Sequence, residues 1–163
     1  MNKIIFLFVT LFGIGKLKKI PGSYASLVTT IFLFFLFHIL NFSPNIVLIG
    51  VIIIFLISIY AVNIFIKDLD NKDPKEIVID EFIGQSIPIC LYEIAHEGLK
   101  ETSQVLTIYF IMFILFRIFD IVKPYPVSYY DKNFKNSFGV IMDDVCAGLY
   151  VVAVLVLYMV INS

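Results

Sequence analysis

Two pairs of adjacent acidic residues stand near the start of otherwise apolar segments of this chain. The pairs are Asp80-Glu81 and Asp143-Asp144. Carboxylate oxygens are the protein ligands that Mg²⁺ prefers, and protein-bound Mg²⁺ commonly bridges to phosphate oxygens while keeping several waters. The four acids are therefore candidate metal ligands for phosphate chemistry. The alternative is that they are ordinary charges near helix N-termini, stabilised by the helix dipole.

A second candidate group lies at the end of another apolar run. Arg117, Asp120 and Lys123 are spaced three apart, so they share one helix face until Pro124 ends the helix. Arg117 and Lys123 could hold phosphate oxygens, while Asp120 orients a basic group or binds metal. An intrahelical ion pair followed by an ordinary loop lysine is the competing interpretation.

Three lysines precede a predicted helix start near the N-terminus. Lys16, Lys18 and Lys19 are followed by Pro21-Gly22-Ser23. They could bind an anionic head group together with Ser23 and the backbone amides of the next helix. General attraction to anionic lipid explains them equally well.

The amino-acid composition indicates that the segments carrying these groups lie in a membrane. The 163 residues are 60% hydrophobic and 15% charged, whereas soluble domains are about half apolar and about a quarter charged. One integral-membrane domain covering residues 1–163 is expected. Cys90 and Cys146 stand in apolar runs without metal-site or CxxC spacing, so they read as buried free thiols. The sequence has no clustered basic patch of the kind that binds nucleic acid, so a nucleic-acid partner is not expected.

The apolar pattern predicts an all-α, polytopic helical bundle with about five transmembrane spans. The predicted spans are Ser26–Leu40, Ile46–Ile66, Ile77–Tyr92, Val105–Val122 and Val140–Ile161. Met1–Phe12 is too short to cross a core that needs about 20 residues, so it is expected to be a short interfacial or re-entrant helix.

Basic residues alternate between the connections of this five-span topology. Of twelve Lys and Arg residues, ten fall on one side, which the positive-inside rule makes cytoplasmic. They lie in three stretches, Gly13–Ala25, Lys67–Glu76 and Arg117–Gly139.

The same topology brings acids from three helices to one depth. Asp80 and Asp143 are each the fourth residue of a predicted span, and Asp120 is third from the end of an antiparallel one. At 1.5 Å per residue, all three are expected about 4–6 Å inside the apolar boundary, at the cytoplasmic face. We therefore expect a charged site at one edge of the membrane.

The sequence resembles the phosphatidylglycerophosphatase A family in four places. The matching stretches are the segment from Gly13 to Ser23, Ile77–Gly84, Phe116–Pro126 with Asp131, and Phe138–Asp144 with Ala147-Gly148. The family usually has Thr at the position of Ser23, and a Gly-Gly pair near Asn136-Ser137. The N-terminal break also carries more lysines here.

The resemblance implies a Mg²⁺-dependent lipid phosphatase of phospholipid biosynthesis, which converts phosphatidylglycerophosphate to phosphatidylglycerol and phosphate. It implies a multi-pass protein of a bacterial inner membrane with its site facing the cytoplasm. The expected catalytic residues are Asp80, Glu81, Asp120, Asp143 and Asp144. The expected metal ligands are Asp80, Glu81, Asp143 and Asp144, and the expected phosphate-binding residues are Arg117, Lys123 and Ser23.

Several alternatives stay open from the residues alone. A carboxylate could activate water as a general base, or attack as a nucleophile and form an aspartyl phosphate. The substrate could be another membrane lipid phosphate. A CDP-alcohol phosphotransferase would need a DG…AR…G…D…D signature that the chain lacks. A small ion-coupled transporter would place its charges near the midplane, and a structural subunit would give no reason for converging carboxylates.

Overall fold

The computed structural model describes residues 3–67, 69, 74–96 and 101–161, and these residues form α-helices and turns without a β-strand. A one-turn 3₁₀ helix, Ile14–Lys16, lies between the first two α-helices. The seven α-helices are α1 (Lys3–Val9), α2 (Pro21–His38), α3 (Pro44–Ile66), α4 (Ile79–Ala95), α5 (Thr102–Val122), α6 (Val127–Asn133) and α7 (Ser137–Ile161). The all-helical prediction is confirmed.

Helix α4 lies at the centre of the bundle. It packs against α2, α3, α5 and, most extensively, α7. The close packing on α7 depends on two glycines, because a Cβ placed on Gly84 would lie 2.6 Å from the backbone oxygen of Asp144, and Gly148 abuts the backbone of Gly84. Small residues let helix backbones approach in this way.

Four helices have the length and composition to cross a membrane: α2, α3, α5 and α7. Helix α4 has 17 residues, carries acids in its first turn and contains Pro88. It nevertheless extends over the same depth as α2, because Gly22 abuts Glu81 at one end and His38 lies beside Glu93 at the other. The membrane bundle is confirmed, and crossing by α4 as a fifth span stays a prediction.

Several helices extend beyond the predicted spans. Helix α2 begins at Pro21, where proline at the first helical position fixes a suitable φ. Helix α4 continues to Ala95, three residues beyond the predicted end of that span at Tyr92. Glu93 is buried in the bundle, where it accepts a hydrogen bond from Tyr109 of α5 (3.1 Å). The span was predicted from apolar residues alone, so the predicted end came before the polar Glu93, which belongs to the helix.

The N-terminal segment forms the expected short helix. Helix α1 packs against α3, and Thr10 caps the following turn by accepting a hydrogen bond from the Gly13 amide (3.1 Å). The amide of Val78 donates to the carbonyl of Val9 (3.0 Å), which ties the segment to the start of α4. Seven helical residues do not cross a membrane. Residues 1–2, 97–100 and 162–163, and residues 68 and 70–73 of the predicted basic stretch Lys67–Glu76, lie outside the described residues.

Candidate active site

Three carboxylates from α4 and α7 converge at one end of the bundle. Asp80 and Glu81 are in the first turn of α4, and Asp144 lies two turns into α7. One carboxylate oxygen from each side chain lies within 4.8 Å of the others. Asp80 and Asp144 are buried, at 7% and 4% exposure, and Glu81 is half-buried. We call Asp80, Glu81 and Asp144 the acid group. It consists of the sequence-predicted pair of acids in α4 and one acid of the predicted pair in α7.

The carboxylate oxygens of the acid group are suitable ligands for a divalent cation. Oε2 of Glu81 is buried and has no hydrogen-bond partner within the described part of the chain. Several acids drawn together away from water repel one another and are costly unless a positive charge compensates them. Hard carboxylate oxygens at this spacing are what Mg²⁺ takes as ligands. Asp80, Glu81 and Asp144 are therefore the residues that could hold a metal.

Arg117 lies beside the acid group, against the start of α2. Its Nη1 is 2.8 Å from Oδ2 of Asp120 and donates a longer hydrogen bond, 3.4 Å, to Oγ of Ser26. A Cβ on Gly22 would lie 3.2 Å from the same Nη1 and would overlap the Glu81 carboxylate. The intrahelical ion pair considered from the sequence is thus present, and it also forms part of a wall built by three helices.

Part of the Arg117 guanidinium is not used by these contacts. Its Nε is buried without a hydrogen-bond partner in the described residues. Asp120 lies close enough to Asp144 and Glu81 to interact with both electrostatically. Ser23 is half-buried in the first turn of α2, next to Gly22. A positively charged group with a spare donor therefore stands directly beside the acids.

Lys123 ends α5 in a left-handed conformation (φ 47°) and is held by two carboxylates. Its Nζ lies 2.7 Å from Oδ1 of Asp131 in α6 and 2.7 Å from Oδ2 of Asp143 in α7. Burial alone would lower the pKa of Lys123, but its hydrogen bonds to Asp131 and Asp143 outweigh burial and raise the pKa above its usual value.

The same contact acts on Asp131 in the opposite sense. Burial raises the pKa of Asp131, but the hydrogen bond and charge of Lys123 outweigh it, so the pKa falls below its usual value. Both members of the pair therefore stay charged at neutral pH. The ion pair joins the ends of α5 and α6 next to the acid group.

The structure separates the two members of the second acidic pair. Asp144 belongs to the acid group, whereas Asp143 contacts Lys123. Asp143 and Asp144 project about 100° apart on α7, and α7 is oriented so that Asp144 faces Asp80 and Glu81 while Asp143 faces Lys123. Direct metal ligation by Asp143 stays a prediction.

Two residues of this region were not among the sequence-predicted site residues. Ser26 accepts the Arg117 hydrogen bond, and Asp131 holds Lys123. Ser26 is one turn after Gly22 and hydrogen-bonds back to its carbonyl (2.9 Å), a spacing visible in the sequence. The approach of Asp131 to Lys123 depends on the turn at Pro124, which no local pattern specifies.

Comparison with known proteins assigns the chain to a family. The model of the family described as phosphatidylglycerophosphatase A matches residues 7–159. The chain belongs to this family. The resemblance seen in the sequence and the prediction of a phosphoric monoester hydrolase are thereby confirmed.

Three curated relatives cover most of the chain. A phosphatidylglycerophosphatase A of Haemophilus influenzae is 34% identical over 144 residues, which are 88% of this chain and 81% of the relative. A putative phosphatidylinositol-3-phosphatase of Bacteroides thetaiotaomicron is 33% identical, covering 85% of this chain and 83% of the relative. A phosphatidylglycerophosphatase A of Escherichia coli K12 is 28% identical, and the match covers 85% of this chain and 73% of the relative. No solved structure matches the chain.

Proposed function

We propose that this protein is a Mg²⁺-dependent lipid phosphatase that hydrolyses phosphatidylglycerophosphate to phosphatidylglycerol and inorganic phosphate. One observation carries the proposal: the carboxylates of Asp80, Glu81 and Asp144 converge beside Arg117 at one end of a membrane bundle. Membership of the phosphatidylglycerophosphatase A family supports the choice of reaction.

The acid group has the role of holding the cation. Asp80, Glu81 and Asp144 would supply its protein ligands, and Oε2 of Glu81 is the oxygen with unused capacity. A bound Mg²⁺ supplies positive charge to the phosphate and lowers the pKa of a coordinated water. Asp143 then acts through Lys123, whose ammonium it holds at 2.7 Å.

The basic residues bind the phosphate of the substrate. The guanidinium of Arg117 is fixed by Asp120 and Ser26 and keeps a free Nε donor. Fixed donors stabilise charge that develops on the phosphoryl oxygens without reorganising during the reaction. Lys123, and the Ser23 hydroxyl at the start of α2, complete the proposed phosphate-binding set.

Hydrolysis breaks the bond between phosphorus and the glycerol oxygen and forms a new bond between phosphorus and a water oxygen. The water loses a proton, and the departing glycerol oxygen gains one. Asp120 is the carboxylate best placed to accept the proton of the attacking water, because it lies beside Asp144 but outside the acid group. Direct attack by a carboxylate is the alternative, and borohydride trapping of an aspartyl phosphate during turnover would reveal it.

The membrane provides the route for the substrate. The site lies at the end of a bundle whose long helices are apolar enough to span a bilayer, so the acyl chains can stay in lipid while the head group enters sideways. The lysine-rich connections lie at this end of the bundle, and the positive-inside rule assigns such connections to the cytoplasm. We therefore propose that this end faces the cytoplasm in a bacterial inner membrane.

Phosphate release by the purified protein in detergent tests the proposal. We expect release from phosphatidylglycerophosphate with Mg²⁺ and its loss with EDTA. Asp80→Asn and Asp144→Asn should each lower kcat/KM by at least about 100-fold, the scale of losing a charged transition-state contact. Glu101→Gln, an exposed acid at the other end of the bundle, is the matched control and should retain activity. Full activity of both site variants would refute the assignment.

A second substrate is supported by the Bacteroides relative. That protein is named a putative phosphatidylinositol-3-phosphatase and is nearly as similar to this chain as the Haemophilus enzyme. Both substrates are phosphomonoesters on a lipid head group, so the same acid group could serve either. Comparing kcat/KM for the two lipids in identical mixed micelles decides between them, and we expect phosphatidylglycerophosphate to be preferred.

A further inference from the structure

The connection between α1 and α2 presents large apolar side chains on its surface. We call Leu11–Ile20 the basic-apolar loop. Phe12 is 87% exposed, Ile20 is 64% exposed and Leu17 is 46% exposed. Exposed apolar groups of this size stabilise a protein only where lipid or a partner covers them.

Three lysines accompany these apolar side chains. Lys16, Lys18 and Lys19 are exposed, and within the described residues none of them forms an ion pair with an acid. Nζ of Lys16 lies 4.5 Å from the ring centre of Phe6. Lysines interleaved with exposed apolar side chains match an anionic head-group layer above acyl chains.

The basic-apolar loop is held in one shape by contacts on its inner side. Thr10 is fully buried and bonds to both Phe6 and Gly13. Gly15 is buried against the backbone of Glu76, so the middle of the loop packs closely on the segment before α4. A loop that is already ordered loses little conformational entropy when it binds.

The position of the loop links it to the candidate active site. Ile20 immediately precedes α2, and two residues later Gly22 abuts Glu81 and Arg117. The loop therefore leads directly into the turn of α2 that borders the acid group.

We propose that the basic-apolar loop is a docking surface for anionic phospholipids of the leaflet next to the acid group. Phe12, Leu17 and Ile20 enter the acyl boundary, while Lys18 and Lys19 contact head-group phosphates. This binding does not depend on which lipid the enzyme hydrolyses. If the proposed function holds, the same surface raises the local concentration of its anionic substrate.

Tryptophan quenching tests the docking directly, because the chain contains no Trp. Phe12→Trp is reconstituted in phosphatidylcholine vesicles containing a fixed fraction of phosphatidylglycerol, with bromine on the chains of either one lipid or the other. We expect quenching by brominated phosphatidylglycerol to show about two- to fivefold enrichment over its bulk fraction, falling toward one in high salt. Quenching by each lipid in proportion to its bulk fraction, or none by either, would overturn the proposal.

Two controls separate docking from general lipid contact and general charge. Leu56→Trp, on the exposed face of α3, should show no preference for the anionic lipid. Lys18→Gln with Lys19→Gln should remove most of the enrichment at Phe12→Trp. Lys132→Gln, an exposed lysine of α6 at the same end of the bundle, should leave it unchanged. Enrichment that survives the Lys18 and Lys19 changes would also contradict the proposal.

Discussion

Lys123 shows how a single residue of this protein depends on partners far apart in the chain. It is the last residue before Pro124, and its ammonium is shared by Asp131 and Asp143 at equal distances. A lysine on a flexible stem is a poor phosphate ligand unless its position is fixed. The two carboxylates fix it, so their contribution to activity is one of geometry.

Asp131→Asn should therefore lower kcat/KM without changing the Mg²⁺ dependence. A hydrogen bond between charged groups contributes about 1.5–3 kcal/mol, and this one is partly exposed, with about a quarter of each side chain accessible. We expect a loss near the lower limit, about tenfold, with the half-saturating Mg²⁺ concentration unchanged and partial recovery in Asp131→Glu. A shifted Mg²⁺ requirement would instead place Asp131 in the metal site.

Residue spacing predicted most of this site but not the role of each acid. Asp80, Asp120 and Asp143 were expected at one depth. The structure groups Asp80 with Glu81 and Asp144, with Asp120 beside them, whereas Asp143 contacts Lys123. Depth follows from counting residues along a helix, whereas the direction of a side chain depends on how the helix is rotated against its neighbours. That rotation is set by tertiary packing, which is why Asp143 and Asp144 could not be distinguished beforehand.

At the scale of elements, the contact between α4 and α7 keeps the acids from two helices together. Gly84→Ala would bring a Cβ within 2.7 Å of the Phe116 ring and still nearer to the Asp144 carbonyl. Forced overpacking typically costs about 1–3 kcal/mol, and separation of the helices would also pull Asp80 from Asp144. We expect a lower Tm and a reduced kcat/KM that extra Mg²⁺ partly restores.

Gly50→Ala is the matched control for this change. Gly50 lies inside α3, and a Cβ there would meet no atom within 4 Å. Alanine is the better helix former by about 1 kcal/mol, so stability should be unchanged or slightly higher. Equal Tm values for the two variants would mean that the α4–α7 contact is not the tight point of the bundle.

The opposite end of α4 is held by a polar cluster that hydropathy did not reveal. Glu93 accepts a hydrogen bond from Tyr109, and Nε2 of His38 lies 3.4 Å from the same oxygen. Tyr109→Phe should lower the free energy of unfolding by about 1–2 kcal/mol, because it removes a buried hydrogen bond to a carboxylate. Activity per folded molecule should be retained. Tyr60→Phe, which alters an exposed tyrosine, should change neither quantity.

At the scale of the whole molecule, the charge pattern predicts one topology for the bundle, and the structure shows which charged groups share an end. The acid group, the basic-apolar loop and Lys123 all lie at one end of the bundle, and the Glu93 cluster lies at the other. The proposed phosphate-binding residues lie together at one end of the bundle, an arrangement that suits a lipid head group at the membrane edge. A transporter would need charges along the path between the two ends, whereas the buried acids of the described residues lie at the ends themselves.

Crossing of the membrane by α4 is the part of this topology that can be tested most sharply. Lys75 lies just before α4 and Thr102 opens α5, so they lie on opposite sides of the membrane only if α4 crosses it. Single cysteines at these positions, in a background with Cys90 and Cys146 replaced by alanine, can be labelled with an impermeant maleimide. We expect position 75 to react in inside-out vesicles and position 102 in right-side-out vesicles. Reaction of both from one side would leave α4 as a re-entrant helix and reverse the orientation of α5.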